Sequence, residues 1–272
     1  MTDFQAKTVL VTGATDGLGR GVAQALAADH ATVLVHGRDA ARAEALAGEL
    51  RAAGATAVRI YVADLASLSE VRSLATEILV NEPRLDVLVN NAGIGSTVPS
   101  AERAESHDGI ELRFAVNYLS HYLLTRSLLP LLKACPPSRI VNVCSAGQSA
   151  IDFDDPMLTH SYSGARAYCQ SKLAQILFTF DLADELAGTG VTANALHPAT
   201  FMPTKLVATP LSSLDDGVQT TMRLITDPAL TGISSKYFNG LHEATADAQA
   251  YDLDERAKLR ALSDELTARY AT

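Results

Sequence analysis

Short, continuous runs of apolar residues alternate along the chain with longer amphipathic or alanine-rich segments. The runs are rich in β-branched residues, a pattern typical of strands buried on both faces of a parallel sheet. The segments between them are long enough for the helical crossovers that parallel strands require. The predicted strands are 8–12, 32–35, 58–62, 85–90, 139–144 and 191–196, with a short last strand at 236–238. The predicted helices are 17–29, 40–53, 67–81, 109–133, 165–188 and 254–270.

This alternation predicts an α/β protein with a doubly wound parallel sheet of the Rossmann type. The alternation of strands and helices is not interrupted by a linker, and the chain has no longer internal repeat. Residues 1–272 are therefore predicted to form a single domain. Residues 203–235 interrupt the rhythm with three prolines, Pro203, Pro210 and Pro228, and two short helical stretches. We expect the region of about 199–235 to supply substrate loops and a lid.

Composition narrows the class of protein further. A hydrophobic fraction of 47% supports a large core, and a net charge of −9 without a basic patch argues against a nucleic-acid partner and, more weakly, against a membrane surface. We expect neither a signal peptide nor a transmembrane helix, since the N-terminus leads directly into a strand and the apolar stretches are short. The three cysteines, Cys135, Cys144 and Cys169, lack metal-ligand spacing. They fit reduced thiols in a cytoplasmic protein.

A glycine-rich turn, TGATDGLG at residues 12–19, lies between the first predicted strand and the first helix. Glycines there let the backbone turn tightly and approach a pyrophosphate, which then lies at the helix N-terminus. The spacing is GxxxGxG rather than GxGxxG. In its strand–turn–helix context the turn predicts dinucleotide binding, with a purely structural turn as the alternative. The turn residues expected to bind the cofactor are Gly13, Thr15, Asp16, Gly17, Leu18 and Gly19.

The end of the second strand bears on the choice between NAD and NADP. An acidic residue there would hold the ribose 2′-hydroxyl of NAD, but the chain reads Val-His-Gly-Arg at residues 35–38. Arg38 stands where a guanidinium can pair with a 2′-phosphate. We therefore predict NADP (NADPH) rather than NAD. The alternative is that Arg38 is a solvated loop residue.

Two further segments are candidates for contact with the cofactor. Asp64, followed by Leu65, comes after the third strand and can either hydrogen-bond the adenine or cap the next helix. Asn91, Ala92 and Gly93 follow the fourth strand, where small residues let the backbone lie against the cofactor. By itself this segment can also be only a turn.

Four polar residues form the candidate catalytic group. Tyr168 and Lys172 are four positions apart on a predicted helix, so both project from one face. A nearby ammonium lowers the pKa of a tyrosine, which makes Tyr168 a usable acid–base near neutral pH. Ser145 follows the fifth strand at the binding crevice, where its hydroxyl can bind a substrate oxygen. Asn117 lies in the fourth helix, where a polar residue can bend the helix and hold a water.

Together these residues resemble the short-chain dehydrogenase/reductase family over about residues 6–240. The motifs that match, in the order typical of the family, are TGxxxGxG at 12–19, Asp64, NNAG at 90–93, Asn117, Ser145, YxxxK at 168–172 and Pro198. The resemblance implies an oxidoreductase that interconverts a ketone or aldehyde and an alcohol with NADP(H). Such an enzyme, acting in the reductive direction, is a ketoreductase.

The resemblance also implies a role for each catalytic residue. Tyr168 would donate a proton to the carbonyl in reduction or accept one from the alcohol in oxidation. Ser145 would orient the reacting oxygen. Lys172 would lower the pKa of Tyr168 and bind the nicotinamide ribose, and Asn117 would support Lys172 through a water-mediated proton relay. Tyr168 and Lys172 are thus expected to contact the cofactor as well.

Residues 116–125 and 167–174, with the long gap from Ser145 to Tyr168, resemble the retinol-dehydrogenase-like and WW-domain-oxidoreductase-like branch of the family. The chain also departs from the family pattern. Ala199 follows Pro198 where glycine is usual, although Thr200 can still meet the carboxamide of the cofactor. Asp16 stands where many NADP-preferring relatives have a basic residue, so the NADP prediction depends largely on Arg38.

The predicted substrate pocket is formed by the loops 94–100, 146–162 and 199–215, whose apolar side chains indicate a fairly apolar small-molecule substrate. The predicted substrate-binding residues are Ser145, Ile151, Phe153, Tyr162 and Phe201. Three acidic residues within these loops, Asp152, Asp154 and Asp155, are interpreted as a solvated loop, and we expect no metal site.

The helices 109–133 and 165–188 are apolar around much of their circumference, as in helices that are buried or at an interface. Since the family often pairs these helices in a four-helix contact, we expect a homodimer or homotetramer. Two other functions fit the same fold. One is a non-catalytic dinucleotide-binding sensor, and the other is a lyase or epimerase that uses nicotinamide transiently.

Overall fold

The computed structural model describes residues 4–97, 100–200, 202–203 and 211–270. Within these ranges eight strands form one sheet in the order β3-β2-β1-β4-β5-β6-β7-β8. All neighbouring strands are parallel except β7 and β8. The strands are β1 (Thr8–Val11), β2 (Thr32–Gly37), β3 (Ala57–Val62), β4 (Val87–Asn90), β5 (Ser138–Val143), β6 (Val191–His197), β7 (Lys236–Asn239) and β8 (His242–Ala244). The prediction of a doubly wound Rossmann-type sheet is confirmed.

Helices connect the strands and cover both faces of the sheet. They are α1 (Gly17–Ala28), α2 (Ala40–Ala52), α3 (Leu68–Asn81), α4 (Ser120–Lys133), α5 (Gly164–Glu185), α6 (Leu214–Thr226) and α7 (Leu253–Thr267). Local sequence explains where several of them begin. Asp39, Ser67 and Ser163 each accept a hydrogen bond from a backbone N–H in the first turn of α2, α3 and α5.

The side chains of the central strand β1 show how the core is divided. Val9 and Val11 face an apolar layer that also contains Leu26 of α1, whereas Leu10 faces the opposite layer with Leu177 of α5. This alternation follows from the two-residue period of a strand. Because the strand order reverses between β1 and β4, the carboxyl ends of these strands open the crevice in which such sheets bind ligands.

The structure differs from the predicted elements in two places. The fourth helix does not begin at Gly109 as an α-helix, because Phe114–Leu119 forms a π-helical segment ahead of α4. Such bulges are often found at functional sites, and this one contains Asn117. Strand β8 was not predicted, since it has three residues, is polar and lies at the sheet edge.

The C-terminal helix α7 packs against α5 and against the π-helical segment and α4. The Tyr118 hydroxyl lies 2.5 Å from Ser263 Oγ, and the Tyr122 hydroxyl donates to Asp264. Arg256 pairs with Asp184 of α5 at 2.9 Å. The apolar face from which we expected a four-helix contact is therefore covered by the chain's own α7, and this corrects the surface we had assigned to dimer formation. The homodimer or homotetramer itself stays a prediction.

None of the helices in the described ranges has the length and apolar character needed to cross a membrane.

Candidate active site

The glycine turn after β1 packs too closely for side chains at two of its glycines. A Cβ on Gly19 would lie 2.3 Å from the Gly13 carbonyl oxygen, and one on Gly13 would lie 2.9 Å from Ala92 Cα. Gly13 also has a φ of +65°, which favours glycine. Asp16 then caps α1 by accepting a hydrogen bond from Gly17 N at 2.9 Å. The predicted phosphate-binding turn is thus a bare backbone cradle at a helix N-terminus.

Thr12 joins this cradle to the loop after β4. Its Oγ1 accepts hydrogen bonds from Asn91 N at 2.9 Å and Ala92 N at 3.0 Å. The Asn91 side chain donates to Thr12 O at 2.8 Å. Two of the predicted cofactor-binding segments are therefore one rigid unit, in which the Asn91 amide has a structural role.

His36, which the sequence analysis did not single out, holds the turn from the other side. Its Nδ1 accepts from Gly13 N at 3.2 Å, and its Nε2 donates to Ala63 O, also at 3.2 Å. These partners assign the neutral Nε2–H tautomer. Burial lowers the pKa of His36 to about 4, so the imidazole is uncharged at neutral pH.

The basic residues near the end of β2 have different environments. Arg38 is exposed and has no side-chain hydrogen bond or ion pair within the described ranges. Arg42 pairs with Asp16 at 3.0 Å and donates to Thr15 O at 2.9 Å. Thr15 in turn lies against Gly37, where a Cβ would be 2.7 Å from Thr15 Cγ2. Arg38 is thus the guanidinium at this end of the cleft that is available to an anionic ligand.

The segment after β3 is built by local turns. Asp64 Oδ1 accepts from Ala66 N at 2.9 Å in a local turn, and the alternative that Asp64 caps the next helix is wrong, since Ser67 caps α3. Leu65 is 5% exposed and belongs to the core, so its side chain is packed away from any ligand. Contact of this segment with the adenine stays a prediction.

Ser145, Tyr168 and Lys172 come together at the carboxyl end of β5. Ser145 Oγ accepts from Gly147 N at 3.0 Å, and Lys172 Nζ lies 5.9 Å from the centroid of the Tyr168 ring. Burial raises the pKa of Tyr168 above its ordinary 10.0, and a hydrogen bond with Ser145 opposes that shift. We had expected Lys172 to bring this pKa toward neutrality. Instead, burial outweighs the other effects, and the pKa of Tyr168 lies above its ordinary value.

Lys172 is itself buried, and its ammonium group is held by neutral acceptors. Its Nζ donates to Val143 O and to Gln175 Oε1, each at 2.9 Å. Burial lowers the pKa of Lys172 to about 8. A Cβ on Gly93 would lie 3.6 Å from this Nζ and 3.2 Å from Asn117 Oδ1, so a glycine keeps the approach to the ammonium open.

The side-chain amide of Asn117 is hydrogen-bonded to protein groups. Its Oδ1 accepts from Ile94 N at 2.8 Å, and its Nδ2 donates to Ile94 O at 3.1 Å and Ser171 Oγ at 2.9 Å. The π-helical segment places this amide between the loop after β4 and helix α5. Asn117 therefore positions that loop, and its part in a water relay stays a prediction.

The structure corrects the predicted substrate role of Ile151. Ile151 is 4% exposed within the core, and its backbone is hydrogen-bonded to Gln249. Phe153 is partly buried against the same core, with Lys258 Nζ of α7 5.8 Å from its ring centroid, and its contact with substrate stays a prediction. Both residues contact the C-terminal part of the chain, because that part folds over the loop in which they lie.

Tyr162 binds side chains that the sequence analysis missed. Its hydroxyl accepts from Arg113 Nη1 at 2.6 Å and donates to Glu111 Oε1 at 2.9 Å. Arg113 is buried and also donates to the carbonyls of Gly95 and Ser96 at 2.9 Å. The Tyr162 hydroxyl thus fastens the two predicted substrate loops to each other. The sequence signal for this contact was an arginine, Arg113, near the start of a largely apolar helix.

The remaining predicted residues lie after β6 or outside the described ranges. Pro198 is buried, and its carbonyl accepts from Thr220 Oγ1 of α6 at 2.7 Å. Thr200 is exposed, with its Oγ1 3.1 Å from His197 Nε2. Phe201 and most of the segment before α6 lie outside the described residues, so the lid stays a prediction.

The acidic residues at 152–155 have partners in the protein. Asp152 pairs with Arg166 at 3.0 Å, and Asp155 accepts from the backbone N–H groups of Thr159 and His160. In the described part of the chain, no three His, Cys, Asp or Glu side chains are grouped to hold a metal ion.

Comparison with known proteins agrees with this geometry. Residues 7–213 match the model of the short chain dehydrogenase family. The chain is 40% identical to human (Homo sapiens) retinol dehydrogenase 14, over 96% of this chain and 86% of that protein. The chain is a short-chain dehydrogenase.

Two solved structures share the fold of this short-chain dehydrogenase. An uncharacterized protein from Mycobacterium paratuberculosis superposes with a TM-score of 0.80 at 32% identity, covering 98% of this chain and 95% of that one. A short chain dehydrogenase from Shigella flexneri complexed with NADP has a TM-score of 0.73 at 25% identity, covering 89% and 100%. The 40% identity to human retinol dehydrogenase 14 confirms the resemblance to the retinol-dehydrogenase-like branch.

As a member of this family, the protein is an oxidoreductase that acts on alcohol and carbonyl groups with a nicotinamide dinucleotide. Its residues fit that cofactor. The turn at Gly13 and Gly19 leaves no room for a Cβ and lies at the N-terminus of α1, the end of a helix that binds phosphate groups. Gly93 lies next to the Lys172 ammonium and has no side chain that would block a ligand from it.

Proposed function

We propose that this short-chain dehydrogenase is an NADP(H)-dependent reductase of ketones or aldehydes on fairly apolar small molecules, working in the cytoplasm. The observation that carries the NADP preference is Arg38, an exposed guanidinium at the end of β2 without a side-chain partner in the described ranges. The strand ahead of it ends in Val35, His36 and Gly37, none of which can hold a ribose hydroxyl as a carboxylate does.

The chemistry follows from the residues at the end of β5. The nicotinamide supplies the hydride when the cofactor is bound. The Tyr168 hydroxyl donates the proton to the carbonyl oxygen, and the Ser145 hydroxyl donates a hydrogen bond to that oxygen. Burial raises the pKa of Tyr168, which keeps the phenol protonated at neutral pH. A protonated tyrosine is the form that reduction requires, and this supports the reductive direction.

The apolar substrate is supported by the side chains near the site. Ile94 and Met157 are both partly buried, and each lies in one of the loops proposed to form the pocket. Retinol, the substrate in the name of the human relative, is itself an apolar alcohol.

The reaction is tested by following NADPH depletion with aromatic, terpenoid, polyketide and aliphatic carbonyls. We expect turnover with bulky apolar carbonyls, and loss of at least about 100-fold in kcat for Tyr168→Phe, since the phenol is the proton donor. NADPH binding, measured by fluorescence, serves as the control and should be retained. A preference for small charged carbonyls would contradict the proposed substrate class, and a fully active Y168F would contradict the proposed mechanism.

The cofactor preference is tested by Arg38→Ala. Loss of a charge-assisted contact to the 2′-phosphate should raise the KM for NADPH about 10-fold or more and leave the KM for NADH nearly unchanged. Arg51→Ala, at the far end of α2, is the matched control. A wild-type kcat/KM that favours NADH over NADPH would overturn the preference.

We also propose a homodimer or homotetramer, although α7 occupies the α4–α5 face that would build the four-helix contact. Light scattering of the full chain at micromolar concentration tests this, and a monomeric mass would contradict it.

A further inference from the structure

A layer of buried polar side chains lies beneath the Lys172 ammonium. An ammonium group has three N–H donors. Two of them are taken by Val143 O and Gln175 Oε1, each at 2.9 Å. Gln175 lies one turn further along α5 and is 1% exposed. Two fixed acceptors set the direction of the third donor, which remains for the ribose or the reacting groups.

The Gln175 amide is itself backed by His121 of α4. Its Nε2 lies 3.4 Å from His121 Nδ1, and that ring nitrogen lies 3.1 Å from Asn117 O. On the other side of the ring, His121 Nε2 lies 3.2 Å from Thr12 Oγ1. Thr12 begins the glycine turn, so a continuous series of contacts leads from the turn to the catalytic ammonium.

The partners of His121 assign its tautomer. The Thr12 hydroxyl accepts two backbone N–H groups, and its own proton lies within reach of Val89 O at 3.3 Å and of His121 Nε2 at 3.2 Å. Since the Asn117 carbonyl can only accept, His121 Nδ1–H donates to it, which assigns the Nδ1–H tautomer. Burial lowers the pKa of His121 to about 3, so the ring adds no charge beside Lys172.

The acceptors around Lys172 are neutral. The titratable groups that face it within the described ranges are Tyr168 from its own helix, Cys144 after β5 and His121 from α4. No carboxylate of the described residues is among them. A carboxylate at the position of the Gln175 amide would offset the ammonium charge, whereas an amide holds the ammonium and leaves its field to act on Tyr168.

We propose that Gln175 is a positioning residue of the reaction, whose amide oxygen fixes the Lys172 ammonium without neutralising it, while the neutral His121 ring packs beside this amide. The proposal rests on Tyr168 and Lys172 acting as the catalytic pair.

The test is the pH dependence of kcat with Gln175→Met, a substitution of similar size that removes the acceptor. Without the amide acceptor, Lys172 is less readily protonated. The Tyr168 phenolate is then less stabilised, because it has less positive charge beside it. The pH midpoint of kcat should therefore move up by about one unit. Alcohol oxidation at neutral pH, which needs the deprotonated tyrosine, should slow by about 10-fold.

Thr179→Val is the matched control, because Thr179 belongs to the same helix and the same buried layer. Its hydroxyl donates to Gln175 O at 2.6 Å and accepts from Asn142 at 2.7 Å, without contact to Lys172. T179V should lower Tm and leave the midpoint in place. If Q175M does not fold, Gln175→Asn keeps a polar group that is too short to reach Nζ and should give the same upward shift.

An unmoved midpoint in Q175M, with turnover still dependent on Tyr168, would overturn the inference and leave the proposed function intact. If Tyr168→Phe alone kept the turnover of the wild-type enzyme, the proposed function would be contradicted instead.

Discussion

Asp16 and Arg42 form an ion pair of 3.0 Å across the mouth of the glycine turn, next to Arg38. Their side chains are 46% and 44% exposed. A pair so open to solvent contributes little to folding. It matters for the ligand instead, because a 2′-phosphate bound at Arg38 would lie near both charges. Asp16 thus offsets the second positive charge that Arg42 brings to this end of the cleft.

Asp16→Ser should therefore favour NADP. With the carboxylate removed, the Arg42 charge acts on the 2′-phosphate without an offset, and we expect the KM for NADPH to fall about 3- to 10-fold. The KM for NADH, which lacks that phosphate, should stay within about 2-fold. Steady-state kinetics with both cofactors at low and high salt provides the measurement, and high salt should reduce the effect.

Arg42→Gln is the reciprocal variant and should raise the KM for NADPH. The double variant D16S/R42Q should return close to the wild-type value, because both charges are then absent. Equal changes for NADPH and NADH in these variants would show that the pair acts on the shape of the turn rather than on the phosphate.

The candidate site shows which residues can be predicted from sequence. Ser145, Tyr168 and Lys172 were predicted because their motif spacing falls on predicted elements whose ends meet at one edge of a parallel sheet. Ile151 was assigned wrongly, since its partner, Gln249, lies about 100 residues further along the chain. No local pattern shows such a contact.

Among the elements, the C-terminal helix α7 changes the surface of the molecule most. It covers an aromatic cluster in which the rings of Tyr122 and Phe178 are 5.0 Å apart and those of Phe114 and Tyr118 are also 5.0 Å apart. Phe180 packs on Tyr251, just ahead of α7, at 5.4 Å. A sequence pattern shows that these helices are apolar all round. It does not show whether a second copy or the same chain covers them.

A chain that ends at residue 251 should therefore associate. Removal of α7 exposes the aromatic face of α4 and α5, and an apolar patch of this kind drives association in water. We expect a larger mass by light scattering than for the full chain, together with increased binding of a hydrophobic dye.

Tyr122→Phe is the milder control, since it removes only the hydrogen bond to Asp264 and keeps α7. Its mass should equal that of the full chain. An unchanged mass for a folded truncated chain would contradict the assignment of α7 as a cover.

The fold as a whole was predictable because β-branched runs at regular spacing can hardly form anything but parallel strands with helical crossovers. The buried polar groups were not predictable, since their partners come from other strands. His36 illustrates this, because it joins three segments of the sheet through Gly13 N and Ala63 O. A histidine inside a strand has no periodic signature. Its burial nevertheless affects the stability of the entire molecule.

Buried histidines make the free energy of unfolding depend on pH in a defined direction. Burial lowers the pKa of His36 to about 4 and that of His121 to about 3, both below the ordinary 6.5. Each is neutral when folded and takes up a proton on unfolding at acidic pH. Stability is therefore retained above pH 6.5 and lost as the pH falls from 6.5 toward 4. His197, whose pKa burial also lowers, acts in the same direction.

Carboxylates affect stability in a lower pH window. Burial opposes the ionisation of Asp86 and Asp108, but their hydrogen bonds outweigh it and lower both pKa values below the ordinary 3.8. Their contribution is present above pH 3.8 and is lost only below it. A loss of stability between pH 7 and pH 5 therefore reports mainly on the histidines.

We expect the free energy of unfolding to fall by about 3 to 4 kcal/mol between pH 7 and pH 5 from His36 and His121 together. Urea denaturation followed by circular dichroism measures it, since the chain has no tryptophan. His121→Asn should remove about half of this pH dependence, although it lowers stability at pH 7. His160→Gln, at a side chain 87% exposed, should keep the full pH dependence. If H121N lost as much stability as the wild type over this range, the imidazole would have to accept its proton in the folded protein, and the neutral ring assigned beside Lys172 would be wrong.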